Sequence, residues 1–183
     1  MSAPISAGIL MWRRRGGERE VLLAHFGGPQ WRNRDAGAWG IPKGVADPDE
    51  DPEACARREF EEELGTKPEG ELVPLGRVRQ RGGKRVEAFA LEGDLDAEAI
   101  VSNRFSIEWP PRSGRFQGYP EVDRARWFGL AEARAMILPS QRPILDRFEQ
   151  SLAPEERRAA QDRRSGAQGS SSQKSGNRPL SRQ

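Results

Sequence analysis

The sequence predicts an α+β or α/β sandwich, and three features carry that expectation. An acidic helical stretch over 51–65 stands alone in the middle of the chain. Short apolar runs that read as strands lie on both sides of it, and two helical patterns close the ordered part. No internal repeat is present.

Ile5 to Trp12 reads as a first strand and Val21 to His25 as a second, joined by the charged turn Arg13 to Gly17. Gly27 to Gly40, rich in Gly, Asn and Trp, is a loop. The helix is delimited at both ends: Asp51 is suited to cap it, Pro52 to its first position, and Gly65 to a left-handed stop. Leu72 to Arg79 and Arg85 to Leu91 then read as strands around Arg81-Gly82-Gly83. Phe105 to Trp109 and Ala125 to Phe128 add two more, before helices over Leu130 to Ile137 and Gln141 to Leu152.

With 183 residues, 35% of them hydrophobic, the chain holds one globular domain, expected over 1–153. No apolar run is long enough to span a membrane, and the N-terminus lacks the pattern of a signal peptide, so a cytoplasmic location without membrane contact is expected. The single cysteine excludes an internal disulfide, and Cys55 reads as a small helix-packing residue. His25, the one histidine, reads as a strand-end residue rather than a ligand or base. Residues 154–183 carry seven basic and three acidic side chains, a net +4 that leaves −2 for the remainder. Rich in Gly, Ser and Gln and without an aromatic, this tail is expected to be disordered. A solubilising role is preferred over RNA contact, because no aromatic is interleaved to stack on bases.

Glu59, Glu62 and Glu63 stand at i, i+3 and i+4 of the central helix, on one face. Ala56, Phe60 and Leu64 form a second stripe, suited to a core. A solvated surface helix would pair Glu with Lys or Arg, whereas each like-charge pair here costs roughly 0.2–0.5 kcal/mol. From Ala46 to Glu63 there are nine acidic residues against Arg57 and Arg58. Carboxylate oxygens at that density suit Mg²⁺ or Mn²⁺. Arg57 and Glu61 fall off the cluster and read as surface residues.

The segment Gly44 to Thr66 resembles the Nudix box: Gly44, Glu50, Arg58, Glu59, Phe60, Glu62, Glu63 and Gly65 stand at the spacing of that family's pattern, with Thr66 a departure at its last position. The resemblance extends over residues 3 to 152 and implies the Nudix fold, an α/β/α sandwich with a mixed sheet between helices. It implies a hydrolase that uses a divalent metal to cleave a pyrophosphate link in a nucleoside diphosphate joined to another group. Carried over, Glu59, Glu62 and Glu63 are the metal carboxylates, Glu59 is also counted with the catalytic residues, and Glu50 and Arg58 are the partnered catalytic pair. Lys43 and Gly44, in a tight loop before the helix, are expected at the substrate. The stretch Tyr119 to Phe128, YPEVDRARWF, is similar to one in several Nudix subgroups and makes Glu121 an extra ligand or general base, with a loop carboxylate paired to Arg124 or Arg126 as the alternative.

Three readings stand. The first is a pyrophosphohydrolase of a small nucleotide, such as a dinucleoside polyphosphate, a damaged nucleoside triphosphate or a nucleotide sugar. The second removes pyrophosphate from the 5′ end of RNA, which makes nucleic acid the less favoured partner. The third is a catalytically silent nucleotide-binding module, and the complete set of box carboxylates argues against it. Phe26, Trp31, Trp39, Trp109 and Tyr119 lie in or beside loops where a base could stack. Trp12, Trp39 and Trp127 are expected to pack in the core.

Overall fold

The computed structural model describes residues 5–152. Strands β1 (Ile5–Arg15), β2 (Glu18–Phe26), β3 (Trp39–Gly40) and β4 (Lys43–Val45) precede helix α1 (Pro52–Leu64). Strands β5 (Val73–Arg79), β6 (Arg85–Glu92), β7 (Arg104–Glu108), β8 (Phe116–Pro120) and β9 (Val122–Gly129) follow, then α2 (Leu130–Met136) and a last helix, α3, over 142–152. Of the described residues, those up to Phe148 form one compact unit and those from Glu149 belong to a second. The expected tail, 154–183, lies outside the described residues. None of the described helices is long and apolar enough to cross a membrane.

The main sheet is mixed. Its path runs β3-β2-β1-β6-β5, with β9 on β2 and β4 on β1. β1 and β6 are parallel, and the other pairings are antiparallel. Alternation along β1 splits its side chains between two faces. Ala7, Ile9 and Met11 join Ala56, Phe60 and Leu64 of α1 in one buried cluster, as the apolar stripe of that helix requires. Trp12, from the alternate set, meets Phe148 of α3 at 5.5 Å between ring centres. Helices therefore cover both faces, giving the expected α+β sandwich.

The predicted elements all form, with shifted ends, and three strands are new. β4 replaces the tight loop expected at Lys43 and Gly44: Ser6, Ala7 and Gly8 of β1 pair with Val45, Gly44 and Lys43. β3 pairs with β2 inside the expected loop 27–40, and β8 pairs with β7 to make a separate two-stranded ribbon. Each is a short segment without apolar alternation of its own, and only the free edge of a partner makes it a strand.

Trp12 and Trp39 are buried, at 8% and 2% exposure, whereas Trp127 is only half-buried under the Arg13 guanidinium, 4.1 Å from its ring centre. Arg57 is no free surface residue either. It bonds Glu53 and the carbonyls of Pro68 and Gly70, latching the segment after α1 to the helix.

Candidate active site

α1 begins and ends as its sequence dictates. The Asp51 carboxylate accepts from the Glu53 and Ala54 amides at 3.0 and 3.1 Å, and Gly65 stops the helix at φ 73° with its amide on Glu61. Between those ends the helix turns Glu59 and Glu63 inward and leaves Glu62 at the surface. Glu61 is exposed and points away, as its position predicts.

Arg58 organises the cluster. Its guanidinium takes Glu50 in a two-pronged grip at 2.9 and 2.8 Å, reaches Glu59 at 2.7 Å and lies 3.4 Å from both oxygens of Glu62. One cation thus offsets the repulsion of three carboxylates. The grip of Arg58, with the Asp47 amide, holds the Glu50 carboxyl down at about 2. Glu59 is shifted the other way, raised by burial, against Arg58, and by the charges of Glu62 and Glu121. Glu63 is raised further, to about 8, because burial outweighs the nearby Lys43, and Glu121 and Glu59 add to it. Burial also lifts the Cys55 thiol to about 11, in keeping with a packing residue.

β4 lies against the inward carboxylates. The Lys43 amide donates to Glu63 at 3.2 Å. A Cβ at Gly44 would stand 1.9 Å from a Glu59 oxygen, so any side chain there would push that carboxylate off the strand. Among the described residues no three His, Cys, Asp or Glu side chains already form a closed ligand set. The donor chemistry nonetheless suits a hard cation. Two buried carboxyls are raised by burial and by neighbouring acids, Glu121 lies close enough to add to both, and oxygen is the donor atom throughout.

Glu121 is half-buried at the junction of β8 and β9, and the structure pairs neither Arg124 nor Arg126 with it; those arginines reach Asp123 and Glu132. Glu121 lines a cavity of about 340 Å³ together with Phe26, Trp31, Lys43, Gln80 and Phe105. Phe26 and Trp31 lie 5.0 Å apart, the Lys43 ammonium stands 5.8 Å from the Phe26 ring centre, and the Gln80 amide nitrogen is buried without a partner. A larger hollow, about 670 Å³ beside Arg13, Asp94 and Trp127, holds none of the expected site residues, and its Arg13 is engaged by Glu20 and Asp94.

His25 contributes what its position at the end of β2 did not reveal. Fully buried beneath Trp39, it binds Asp123 Oδ1 at 2.6 Å through Nδ1 and the Arg34 carbonyl at 2.8 Å through Nε2. The Gly27 amide donates to the Glu121 carbonyl at 2.8 Å. Together these bonds fasten the loop that carries Trp31 to the strand start that carries Glu121. Phe105 and Gln80 escaped the sequence reading because segments distant in sequence deliver them and no local pattern marks them; Asp123 lies within the stretch Tyr119 to Phe128, but its bond to His25 leaves no mark there.

Comparison with known proteins agrees with this architecture. The family model for the NUDIX domain matches residues 3–148. The RNA pyrophosphohydrolase of Rhodospirillum rubrum is 30% identical over 159 residues, covering 82% of this chain and 92% of that protein. The RNA pyrophosphohydrolase of Acidiphilium cryptum is 31% identical over 132 residues, covering 63% and 71%. Among solved structures, a Caenorhabditis elegans Ap4A hydrolase binary complex superposes with a TM-score of 0.56 at 22% identity, over 83% of this chain and 99% of that one. The NUDIX domain of Shewanella oneidensis NrtR complexed with ADP ribose gives 0.58 at 18% identity, over 83% and 90%. The two structural likenesses speak for the fold.

Proposed function

Since the chain belongs to the NUDIX family and is a hydrolase of pyrophosphate bonds, we propose that it cleaves a phosphoanhydride in a nucleotide with the help of Mg²⁺ or Mn²⁺. The observation that carries this is the Arg58-organised carboxylate cluster, whose two inward members are raised by burial and by the neighbouring acids, Glu121 among them. Glu59, Glu62 and Glu63 would hold the metal. When bound, it neutralises phosphate oxygens and makes a water molecule acidic enough to attack.

The protein side of the reaction is positioning. Arg58 fixes Glu59 and keeps Glu50 ionised. Gly44 lets Glu59 approach the strand, and Lys43 brings a cation to the cavity wall for the substrate's phosphates. Glu121, across the same cavity, is suited to orient or deprotonate the attacking water. Phe26 and Trp31 offer a base a stacking surface, and the unpaired Gln80 amide offers it a donor. A cytoplasmic setting, as the sequence suggests, suits such a substrate.

The names of the two sequence relatives favour a second substrate reading, the 5′-triphosphate end of RNA. Purified protein tested on a dinucleoside tetraphosphate, nucleoside triphosphates and 5′-triphosphorylated RNA, with products resolved by chromatography, checks both. Turnover is expected with Mg²⁺ and lost in excess chelator, and Glu62→Gln lowers it by orders of magnitude. Full activity in chelator or in that variant would sink the metal reading.

A further inference from the structure

We propose that the β7–β8 ribbon is a track for single-stranded RNA, engaging the nucleotides that follow the 5′ end held in the cavity. The proposal rests on the RNA reading of the active site and adds to it a binding surface outside that site.

The register of the ribbon places its chemistry. Phe105 faces Tyr119, Ile107 faces Gln117, and the Trp109 amide bonds the Arg115 carbonyl beyond the last pair, so these six residues share one face. That face begins at the cavity, because Phe105 lines it beside Lys43 and Glu121. From there it runs outward through the Phe105 and Tyr119 rings, 6.3 Å apart, to Trp109 and Arg115. Aromatic residues spaced along one face of a ribbon, with an arginine at its outer end, form a stacking platform for successive bases.

Charge points the same way. Residues 104–120 hold Arg104, Arg112 and Arg115 against the single acid Glu108, and Glu108 accepts the Gly114 amide at 2.6 Å. All three arginines are exposed, and among the described residues none of them forms an ion pair; Arg104 bonds only the Gly118 carbonyl, at 2.7 Å. Arg112 is held at the ribbon tip with φ 62°, a left-handed conformation unusual for an arginine. A phosphodiester chain supplies the anions this ribbon lacks, and its bases supply the rings. A free dinucleotide has no chain to lie along it.

The test uses the full chain, a Trp109→Ala/Arg115→Ala double variant, and Phe116→Ser on the opposite face. Binding of a short 5′-hydroxyl single-stranded RNA is followed by fluorescence anisotropy across a salt series, which needs no hydrolysis. The double variant is expected to bind about tenfold or more weakly and to lose roughly one from the slope of log affinity against log salt. Its kcat/KM on triphosphorylated RNA falls in parallel, while turnover of a dinucleoside tetraphosphate stays within about twofold and shows that the fold is intact. Phe116→Ser is expected to match the parent. Unchanged affinity and salt slope in the double variant, an equal loss in Phe116→Ser, or no RNA binding by the parent would each overturn the track. Binding that depends on the ribbon without hydrolysis of triphosphorylated RNA would uphold the track and instead sink the RNA substrate reading.

Discussion

The Glu63 carboxyl, against the Lys43 amide and near the charges of Glu59 and Glu121, ordinarily titrates at 4.5 and is pushed up to about 8 in the folded protein. The metal-free native state therefore holds a proton that the unfolded chain has lost. Its stabilising effect is complete below pH 4.5 and disappears as the pH rises through about 8. Glu59 shifts in the same sense, whereas Glu50, held down to about 2, contributes stability that is complete above its ordinary 4.5 and is lost only as the pH falls towards 2. Thermal melting in chelator is thus expected to show a midpoint that falls between about pH 5 and 8, and Glu63→Gln should flatten that fall. A parent midpoint that rises over this range would contradict the assignment. Divalent metal should shift the parent's midpoint upward most at the alkaline end, where the ligand is already ionised. For turnover, Glu59→Gln is expected to cost more than Glu121→Gln, because Glu59 bridges Arg58 and the Gly44 strand while Glu121 stands across the cavity. The opposite ranking, measured as kcat at saturating substrate, would make Glu121 the principal base.

Helix α1 places these carboxylates, and its two ends differ in what a substitution does. Asp51→Ala removes a side-chain cap and leaves two amides to water, a cost of about 1 kcal/mol. Gly65→Ala forces a side chain into a left-handed turn and sets its Cβ 2.8 Å from the Val101 carbonyl, so about 1–3 kcal/mol is expected. Urea unfolding should rank the two in that order with equal slopes; a harmless Gly65→Ala would mean that the Val101 segment yields freely. Both caps were legible because they depend on residues within one turn of the helix. β4 was not: Lys43–Val45 is too short for a periodic signal and is a strand only because β1 offers it an edge. The same holds for β8, which takes its register from β7.

For the whole molecule, charge is divided between a −2 body and a +4 tail. Deleting 154–183 is expected to leave the melting midpoint and small-nucleotide turnover nearly unchanged, since almost no apolar side chain is removed. RNA capture should survive as well if the β7–β8 ribbon supplies the stacking face. A marked, salt-sensitive loss of RNA turnover in the truncated chain, with small-nucleotide turnover intact, would move the principal RNA contact from the ribbon to the tail.

The family, the central helix with its Arg58, Glu59, Glu62 and Glu63, and Glu50 just before its cap could be read from the sequence because they lie close together in the chain, where spacing determines which helical side chains share a face. Spacing does not say which of them turns inward. Packing of α1 against β1 and β4 decided that Glu59 and Glu63 are buried and Glu62 exposed, and their opposite environments follow from it. The cavity wall is likewise a tertiary product. Phe26 and Phe105 come from separate strands, Gln80 from the turn after β5 and Glu121 from the junction of β8 and β9, and the His25 bonds to Asp123 and the Arg34 carbonyl join segments up to 98 residues apart. Side chains that meet only through strand pairing leave no mark in local sequence, so the chemistry could be read early and the shape of the pocket that receives the substrate could not.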